Sequence, residues 1–271
     1  TDPDADRFGI VVKDFNDDFV QINGNQSMIV LTDFLLSRLQ YVKTKSFIAS
    51  TVVSTPMMQK IADKNKVKLI LSLTGFKWIG KMINDFPSLN YICGGEESYG
   101  FLAGNFVRDK DALTSSLLIS GLCNELKEQK SSFFERLVDC YIRYGFYKEK
   151  LVSMTETGEK GFKKISETIN SLRKNPPDKL ANDDLIKIYD YKESLLTDKL
   201  NNVSSILNFP KSNLLIFESS NGTKVAVRPS GTEPKIKYYF SVNTNLDKKN
   251  DFKIKDELLN KKINLLIKQF I

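Results

Sequence analysis

Residues 89–100 read LNYICGGEESYG, an apolar run that ends in two carboxylates and a hydroxyl between glycines. The run 89–93 predicts a buried strand, and the glycines after it predict a loop whose backbone approaches a ligand closely. Glu96, Glu97 and Ser98 have the oxygen atoms that hydrogen-bond sugar hydroxyls. A glycine turn with solvated acids is the other interpretation, and this stretch alone does not decide between them.

Strands and helices alternate on both sides of this loop. Apolar runs at 47–53, 68–73 and 89–93 predict strands, and the segments from Thr55 and at 76–85 predict the helices between them. This alternation with short connections is typical of an α/β fold with a parallel or mixed sheet. Ligands of such sheets meet the loops at the carboxyl ends of the strands, so we expect the glutamates there.

The last part of the chain has a different pattern. Asn221-Gly222 predicts a hairpin turn, and residues 235–242 alternate polar and apolar side chains as in a half-buried strand. Residues 252–270 predict a closing helix, and the proline-bearing residues 176–184 predict a linker before this part. We therefore expect an α+β domain after the α/β domain.

Composition indicates a globular protein, with 271 residues, 41% hydrophobic and 27% charged. No apolar run approaches the roughly 20 residues that span a bilayer, and the start does not resemble a signal peptide, so we expect a cytoplasmic protein. Because the chain opens on Thr1 rather than Met, we also expect that the native N-terminus lies outside it. The net charge of +7 suits a polyanion or a small dianionic substrate, but the basic residues are scattered as on solvated helix faces.

The residue types exclude several kinds of catalytic site. The chain has no histidine, which excludes a Ser-His-Asp triad, a Cys-His pair and a histidine-ligated metal within it. Three cysteines are too few for a disulfide framework or a structural zinc site. Acid–base chemistry is therefore left to carboxylates, lysine or tyrosine.

A second polar stretch, TDPDADR, occupies residues 1–7. Asp2, Asp4 and Asp6 stand at alternate positions, where three carboxylates in a loop can converge on one hard cation. Arg7 follows and can bind a phosphate oxygen shared with that cation. An acidic turn or a helix cap is the alternative interpretation of these acids.

A third polar stretch, RPSGTEPK, occupies residues 228–235. Ser230, Gly231 and Thr232 offer consecutive N–H groups and two hydroxyls to an anion, and Arg228 adds charge. Charge-assisted hydrogen bonds contribute about 1.5–3 kcal/mol each, so a few of them hold a phosphate firmly. A plain hairpin loop is the alternative. At residues 74–77, TGFK forms another strand-to-helix junction, which directs Lys77 toward the same edge as the glutamates.

These loops, in this order and separation, resemble the α-D-phosphohexomutase superfamily, of which phosphoglucomutase and phosphomannomutase are members. Residues 1–7 are similar to the family's magnesium loop, 95–100 to its sugar-binding loop and 228–234 to the phosphate-binding loop of its last domain. The segments TGFK at 74–77 and VRDKD at 107–111 also match, so the resemblance covers nearly the whole chain. Three stretches keep short names below: the metal loop is residues 1–7, the sugar loop is residues 95–100 and the phosphate loop is residues 228–235.

The resemblance implies three related α/β domains and a last α+β domain of TATA-binding-protein-like shape. Residues 1–42 would end the second domain with the metal loop, 43–177 would form the third with the sugar loop, and 178–271 the fourth with the phosphate loop. The family's reaction passes a phosphoryl group from a phosphoserine to the sugar and back, through a bisphosphorylated sugar. Magnesium and glucose 1,6-bisphosphate, the activator and intermediate, are the implied cofactors.

The resemblance also implies roles for individual residues. Arg7 would act with Mg²⁺ at the phosphoserine, the sugar loop would hold hydroxyls, and Arg228, Ser230, Gly231 and Thr232 would hold the phosphate that is not transferring. Lys77 would act as general acid–base, although some members have histidine near this junction.

The chain departs from the family because it has no segment like Thr-Ala-Ser-His-Asn-Pro, which carries the nucleophilic serine. We therefore expect an inactive fragment of a phosphoglucomutase-like isomerase whose phosphorylated serine and N-terminal domains lie outside this chain. Phosphomannomutase or phosphopentomutase activity, a non-catalytic phosphosugar-binding module and a polyanion-binding protein are the alternatives. We expect a phosphorylated hexose as ligand, with no nucleic acid or membrane partner.

Overall fold

The computed structural model describes residues 1–39 and 45–271. Contacts divide the chain into two compact units, Thr1–Phe146 with Asn245–Phe252, and Tyr147–Thr244 with Lys253–Ile271. The predicted boundary between residues 42 and 43 lies outside the described residues. The three-part division remains a prediction, and the contacts group residues 147–177 with the second unit rather than with the middle part. Among the described helices, none is long and apolar enough to cross a membrane.

The first unit contains a four-stranded mixed sheet, a separate hairpin and five helices. Its elements are β1 (Ile10–Lys13), β2 (Phe19–Ile22), α1 (Gly24–Arg38), β3 (Ser46–Thr51), α2 (Met57–Asn65), β4 (Lys68–Ser72), α3 (Lys77–Asp85), β5 (Asn90–Gly95), β6 (Phe101–Ala103), α4 (Ala112–Glu128) and α5 (Phe133–Tyr144). The sheet order is β4-β3-β5-β6, and β1 pairs with β2 as a hairpin. The three strands predicted at 47–53, 68–73 and 89–93 are confirmed as β3, β4 and β5.

The register of the sheet brings three strand ends to one edge. β3 is parallel to both β4 and β5, with Thr51 beside Ser72 and Ser50 beside Gly95. The short strand β6 is antiparallel to β5 and returns the chain from the sugar loop. The loops after β3, β4 and β5 therefore lie at the same carboxyl edge, where a mixed α/β sheet binds its ligands.

Polar side chains fix both the start of helix α1 and its contact with helix α5. Its first turn is closed by a capping box, in which Asn23 accepts the Gln26 N–H at 3.0 Å and Gln26 accepts the Asn23 N–H at 2.9 Å. On the same helix, the buried Asp33 carboxylate accepts hydrogen bonds from three α5 side chains: Arg136, Arg143 at 2.8 Å and Tyr144 at 2.6 Å. These bonds offset the free-energy cost of burying the charged Asp33 carboxylate.

For helix α4, the sequence predicts a cap at Asp111 and one inward face formed by Leu113, Leu117, Leu118, Leu122 and Leu126. The cap is confirmed, because the Asp111 carboxylate accepts the N–H groups of residues 113 and 114. The face is partly wrong, because Leu113 and Leu117 are 68% and 74% exposed. The buried residues are Ala112, Ser115, Ile119, Leu122 and Leu126.

The second unit is built on a larger sheet. Its elements are β7 (Phe146–Thr155), α6 (Gly158–Lys174), β8 (Lys179–Leu180), β9 (Asp183–Asp190), β10 (Leu195–Asp198), β11 (Val203–Ile206), β12 (Leu215–Ser219), β13 (Lys224–Pro229), β14 (Lys235–Thr244) and α7 (Phe252–Phe270). The strand order is β11-β10-β9-β12-β13-β14-β7, and β8 pairs with β9. Strands β9 to β14 pair antiparallel with their neighbours.

Helix α7 covers one face of this sheet. Phe217, Val225 and Phe240 are aligned across neighbouring strands, and the Phe270 ring lies 5.8 Å from Phe217 and 6.3 Å from Phe240 between ring centroids. The predicted fold class, a mixed-sheet α/β domain followed by an α+β domain, is confirmed. The predicted linker at 176–184 contains β8 and the start of β9, which pair with each other.

The Asp33 network predicts a large loss of stability on substitution. Asp33→Asn leaves two partly buried guanidinium groups without their counter-charge, and we expect the free energy of unfolding to fall by about 3 kcal/mol. Urea unfolding monitored by circular dichroism measures this change. The exposed Asp63→Asn on α2 is the control and is expected to change stability by less than about 0.5 kcal/mol. Equal stability of the two variants would contradict the role assigned to Asp33.

Candidate functional site

The metal loop is joined to the sugar loop through the backbone. Arg7 and Gly100 form an antiparallel β-bridge, and the Phe8 N–H donates to the Tyr99 carbonyl at 3.3 Å. Ala5, at φ +56°, accepts the N–H of Ala112 at 3.1 Å from the start of α4. Two loops that are about ninety residues apart in sequence therefore form one site.

The three aspartates of the metal loop converge as predicted. One carboxylate oxygen from each of Asp2, Asp4 and Asp6 lies within 4.8 Å of the others. Asp2 Oδ1 accepts the Arg7 N–H at 3.0 Å, and this bond lowers the pKa of the Asp2 carboxyl. Asp6 Oδ2 accepts from Lys110 Nζ at 2.8 Å, while Asp6 Oδ1 is buried without a hydrogen-bond partner in the described part of the chain.

This donor set fits a hard divalent cation. Asp2 and Asp6 each use one carboxylate oxygen for a structural contact and keep the other available. A buried carboxylate oxygen without a partner is unfavourable unless a ligand satisfies it, and Mg²⁺ prefers carboxylate and water oxygens. The Arg7 guanidinium lies beside the cluster, with Nε 3.7 Å from Asp6 Oδ1.

Arg7 also lines an open cleft. Its side chain is half exposed, and the cleft has a volume of about 520 Å³. The cleft is lined by Thr1, Asp2, Arg7, Phe8, Gly9, Gln21 and Tyr99. An exposed guanidinium next to a carboxylate cluster is suited to a phosphate that a metal ion also contacts.

Lys110 is a site residue to which the sequence assigned no role. Its side chain is 13% exposed, its Nζ bonds both Asp6 and Asp109, and it lies 5.7 Å from the centroid of the Phe76 ring. Burial lowers the pKa of Lys110, but the bonds to the two aspartates outweigh burial and raise it. A Cβ atom on Gly100 would lie 2.5 Å from Lys110 Cδ, so glycine makes room for this lysine. In the sequence, Lys110 was marked only by its position in the VRDKD segment, residues 107–111.

Glu96 is the buried carboxylate of the sugar loop. Its side chain is 6% exposed, and Oε1 accepts the Gly75 N–H at 2.7 Å. Gly75 has φ +111°, a conformation that favours glycine and that turns its N–H toward the carboxylate. Burial raises the pKa of Glu96, the Gly75 hydrogen bond opposes the rise, and the Glu97 charge adds to it.

The other predicted residues at this edge differ in environment. Glu97 is half-buried and its carboxylate accepts hydrogen bonds from the β3–α2 loop. Ser98 is also half-buried, and within residues 1–39 and 45–271 its hydroxyl has no hydrogen-bond partner. Lys77 begins α3 and is exposed, with Nζ 5.5 Å from the centroid of the Trp78 ring. The structure thus places Lys77 at the start of α3, two residues after the Gly75 that bonds Glu96.

The phosphate loop lies in the second unit and joins β13 to β14. The Ser230 N–H donates to the Lys235 carbonyl at 2.9 Å, and Ser230 Oγ accepts the Glu233 N–H at 3.3 Å. Gly231 and Thr232 are exposed, Arg228 is half-buried, and a Cβ atom on Gly231 would meet open space. The loop is a pre-formed turn whose exposed tip is open to an anion.

Comparisons with known proteins show which family the chain resembles. Residues 23–141 match the family model "Phosphoglucomutase/phosphomannomutase, alpha/beta/alpha domain III". A phosphoglucomutase of Staphylococcus epidermidis is 36% identical over 90% of this chain, and one of Staphylococcus aureus is 37% identical over 89%. The chain spans 44% of the length of both relatives.

A solved structure has the same fold. The open form of parafusin, a phosphoglucomutase from Paramecium, superposes with a TM-score of 0.64 at 20% identity, over 98% of this chain and 44% of parafusin. The similarity in sequence and in fold extends over both compact units. The chain therefore belongs to the α-D-phosphohexomutase superfamily and corresponds to the C-terminal part of its members.

Proposed function

We propose that this chain is part of a magnesium-dependent, phosphoglucomutase-like phosphohexomutase that interconverts sugar 1-phosphates and 6-phosphates. The reaction would use a phosphoserine and a bisphosphorylated sugar, with the nucleophilic serine outside these 271 residues. One observation carries the proposal: the metal loop is hydrogen-bonded to the sugar loop through the Arg7–Gly100 bridge and the Phe8–Tyr99 bond. Phosphoryl transfer to a sugar needs a cation, a cationic side chain and sugar-binding groups in one place.

The aspartates would hold the cation and the arginine would hold the phosphoryl group. Asp2, Asp4 and Asp6 supply the free carboxylate oxygens, and Lys110 fixes the orientation of Asp6 by bonding its other oxygen. A bound Mg²⁺ supplies positive charge that stabilises the transferring phosphoryl group. Arg7 supplies further charge and N–H donors from the edge of the same cleft.

The sugar loop would orient the hexose. The ionised Glu96 carboxylate is an acceptor for sugar hydroxyls, and the unpartnered Ser98 hydroxyl both donates and accepts. Lys77 is exposed at the adjoining helix start, where a proton donor or acceptor near the reacting oxygen would act as general acid–base. Arg228, Ser230, Gly231 and Thr232 would hold the phosphate that is not transferring, with glucose 1,6-bisphosphate as the intermediate.

Other activities of the same family stay open to test. Phosphomannomutase or phosphopentomutase activity requires the same loops, and a phosphosugar-binding module without turnover is the non-catalytic alternative. Because no serine loop occurs in the sequence, we propose that this chain alone does not turn over and that N-terminal domains complete the enzyme. We also propose a cytoplasmic location, where phosphorylated hexoses are available.

The metal loop predicts a measurable cation site. In the Asp4→Asn, Asp6→Asn double variant, two of the three anionic oxygens are lost, and we expect Mg²⁺ affinity to fall more than about tenfold. Isothermal titration calorimetry measures the Mg²⁺ affinity, and paramagnetic resonance with Mn²⁺ measures the affinity for that substitute cation. Asp18→Asn, an exposed acid in the β1–β2 turn, is the matched control and should bind as wild type. Equal affinity in all three proteins would contradict the assignment.

Glu96 predicts opposite effects on stability and on ligand binding. Because burial raises the folded-state pKa of Glu96, ionisation weakens folding as pH rises above the ordinary range of a glutamate. Glu96→Gln should therefore melt at a higher temperature than wild type at pH 7, and the gain should shrink as pH falls and vanish below the ordinary pKa of a glutamate, where the folded and unfolded states are both protonated. The same variant should bind glucose 1-phosphate more weakly, because an anionic acceptor is lost.

Thermal melts across pH and calorimetric titration test these two effects. Glu128→Gln on the exposed side of α4 is the control and should change neither quantity. A Glu96→Gln protein that melts lower at pH 7, or that binds glucose 1-phosphate normally, would contradict the role of Glu96.

The phosphate loop predicts a loss of anion binding. Arg228→Ala with Ser230→Ala removes the guanidinium and one hydroxyl, and we expect the affinity for glucose 1,6-bisphosphate to fall at least about tenfold. Lys192→Ala, an exposed cation on the same unit, controls for net charge. Competition with duplex DNA is the second arm of the titration. Unchanged binding in the double variant, or displacement of the sugar by DNA, would favour the polyanion-binding alternative instead.

A further inference from the structure

We propose that Glu97 is a positioning residue, and that Glu97 and Ser54 form a clamp that holds the sugar loop in place. In this arrangement Glu97 does not contact the sugar, whereas Glu96 and Ser98 do. The structural part of the inference stands on the contacts alone, and its effect on ligand binding rests on the proposed function. The clamp is defined as the side chains of Thr51, Ser54 and Glu97.

Ser54 and Glu97 bond each other twice. Ser54 Oγ donates to Glu97 Oε2 at 3.0 Å, and the Glu97 backbone N–H donates to Ser54 Oγ at 3.2 Å. One contact fixes the side chain of Glu97 and the other fixes its backbone. Together they set both the position of the sugar loop and the direction of its central residue, because neither end of Glu97 can turn without breaking a bond.

The distances in the clamp favour one arrangement of its protons. A serine hydroxyl has one donor and two acceptor positions. Glu97 Oε2 lies 3.0 Å from Ser54 Oγ and 3.4 Å from Thr51 Oγ1, so Ser54 is the better donor to Glu97, and Thr51 then donates the 2.7 Å contact to Ser54. The Glu97 N–H fills the second acceptor position. The Ser54 hydroxyl is thus fully used and only 4% exposed, and its chain of bonds strengthens cooperatively.

The other side of Glu97 is held by the start of α1. A Cβ atom on Gly24 would lie 2.3 Å from the Glu97 carbonyl oxygen, so only glycine admits this close approach. The next residue, Asn25, is buried and accepts the Thr55 N–H at 2.9 Å through Oδ1. The first turn of α1 therefore contacts the sugar loop and also holds the loop that contains Ser54.

The two neighbouring glutamates bond different loops. Glu96 bonds the β4–α3 loop through Gly75, and Glu97 bonds the β3–α2 loop through Ser54. Each glutamate ties the sugar loop to a different strand end of the sheet. With Oε2 of Glu97 already accepting from Ser54, a sugar hydroxyl would have to compete with that bond.

Hydrogen exchange tests the clamp without any ligand. Ser54→Ala removes the acceptor of the Glu97 N–H, and we expect the peptide covering residues 95–100 to exchange about tenfold faster. Glu97→Ala should loosen the same peptide. Ser72→Ala is the matched control: Ser72 is equally buried in the same sheet, but bonds the Leu73 carbonyl instead. Unchanged exchange at residues 95–100 in Ser54→Ala would overturn the proposal. If Ser54→Ala does not fold, the same measurement on Glu97→Ala replaces it, and unchanged exchange there would also overturn the proposal.

A double-mutant cycle tests the functional part. Ser54→Ala and Glu97→Ala should each weaken glucose 1-phosphate binding about tenfold, and the double variant should be no weaker than about twentyfold, because both remove one clamp. Inorganic phosphate affinity should not change, since the phosphate loop is untouched. Ser54→Thr, which keeps the hydroxyl, should restore binding. Additive losses near a hundredfold would show that Glu97 contacts the sugar independently and would overturn the proposal.

Glu96→Gln separates failure of this inference from failure of the proposed function. If Glu96→Gln weakens glucose 1-phosphate binding but the Ser54–Glu97 cycle is additive, only the clamp fails. If neither wild type nor Glu96→Gln binds the sugar phosphate, the proposed function fails, while hydrogen exchange at residues 95–100 still decides whether the clamp exists.

Discussion

The contact between residues 7–8 and 99–100 is the constraint on which the candidate site depends. A β-bridge and one N–H bond to the Tyr99 carbonyl hold the metal loop against the sugar loop. The side chain of Lys110 fits over Gly100 and reaches Asp6, so the same place also orients a metal ligand. Without this junction, the aspartates would form an acidic turn and the glutamates a separate glycine loop. Joined, they would supply the proposed binding groups for cation, phosphate and sugar in one unit.

The site contains groups that a fold selected only for stability would avoid. Glu96 is a carboxylate buried at the edge of the sheet, and Asp6 Oδ1 is buried without a hydrogen bond from the described residues. Both are unfavourable in the free protein, and a bound sugar or cation would satisfy them. By contrast, the buried Asp33 is fully bonded by α5 side chains and has a structural role. The Asp33 carboxylate is therefore satisfied by the fold itself, whereas Asp6 Oδ1 is an oxygen that a ligand could satisfy.

The parts of the fold predicted from sequence are those with local signals. Strands β3 to β5 are apolar runs bounded by polar turns, and α7 was predicted at its observed bounds, residues 252–270. The meander of β9 to β11 was missed, because β9 and β10 mix acidic with apolar residues and β11 is exposed along its whole length. β6 was missed because three residues carry no periodicity, and its pairing with β5 alone defines it.

The residues of the candidate site also divide into those that a local sequence pattern indicates and those that it does not. Converging aspartates and the glutamates at a strand end follow from spacing and from sheet geometry, and were predicted. Lys110 and Ser54 were not, because each acts through a contact with a loop distant in sequence. No local pattern marks a serine that bonds a glutamate forty-three residues later.

The most direct test of the central claim is calorimetric titration of glucose 1,6-bisphosphate into this chain with and without saturating Mg²⁺. Because the metal and sugar loops form one site, Mg²⁺ should raise the affinity for the bisphosphate by at least about fivefold, and the bisphosphate should raise Mg²⁺ affinity by the same factor. Identical affinities with and without Mg²⁺ would contradict a shared site for the cation and the sugar phosphate.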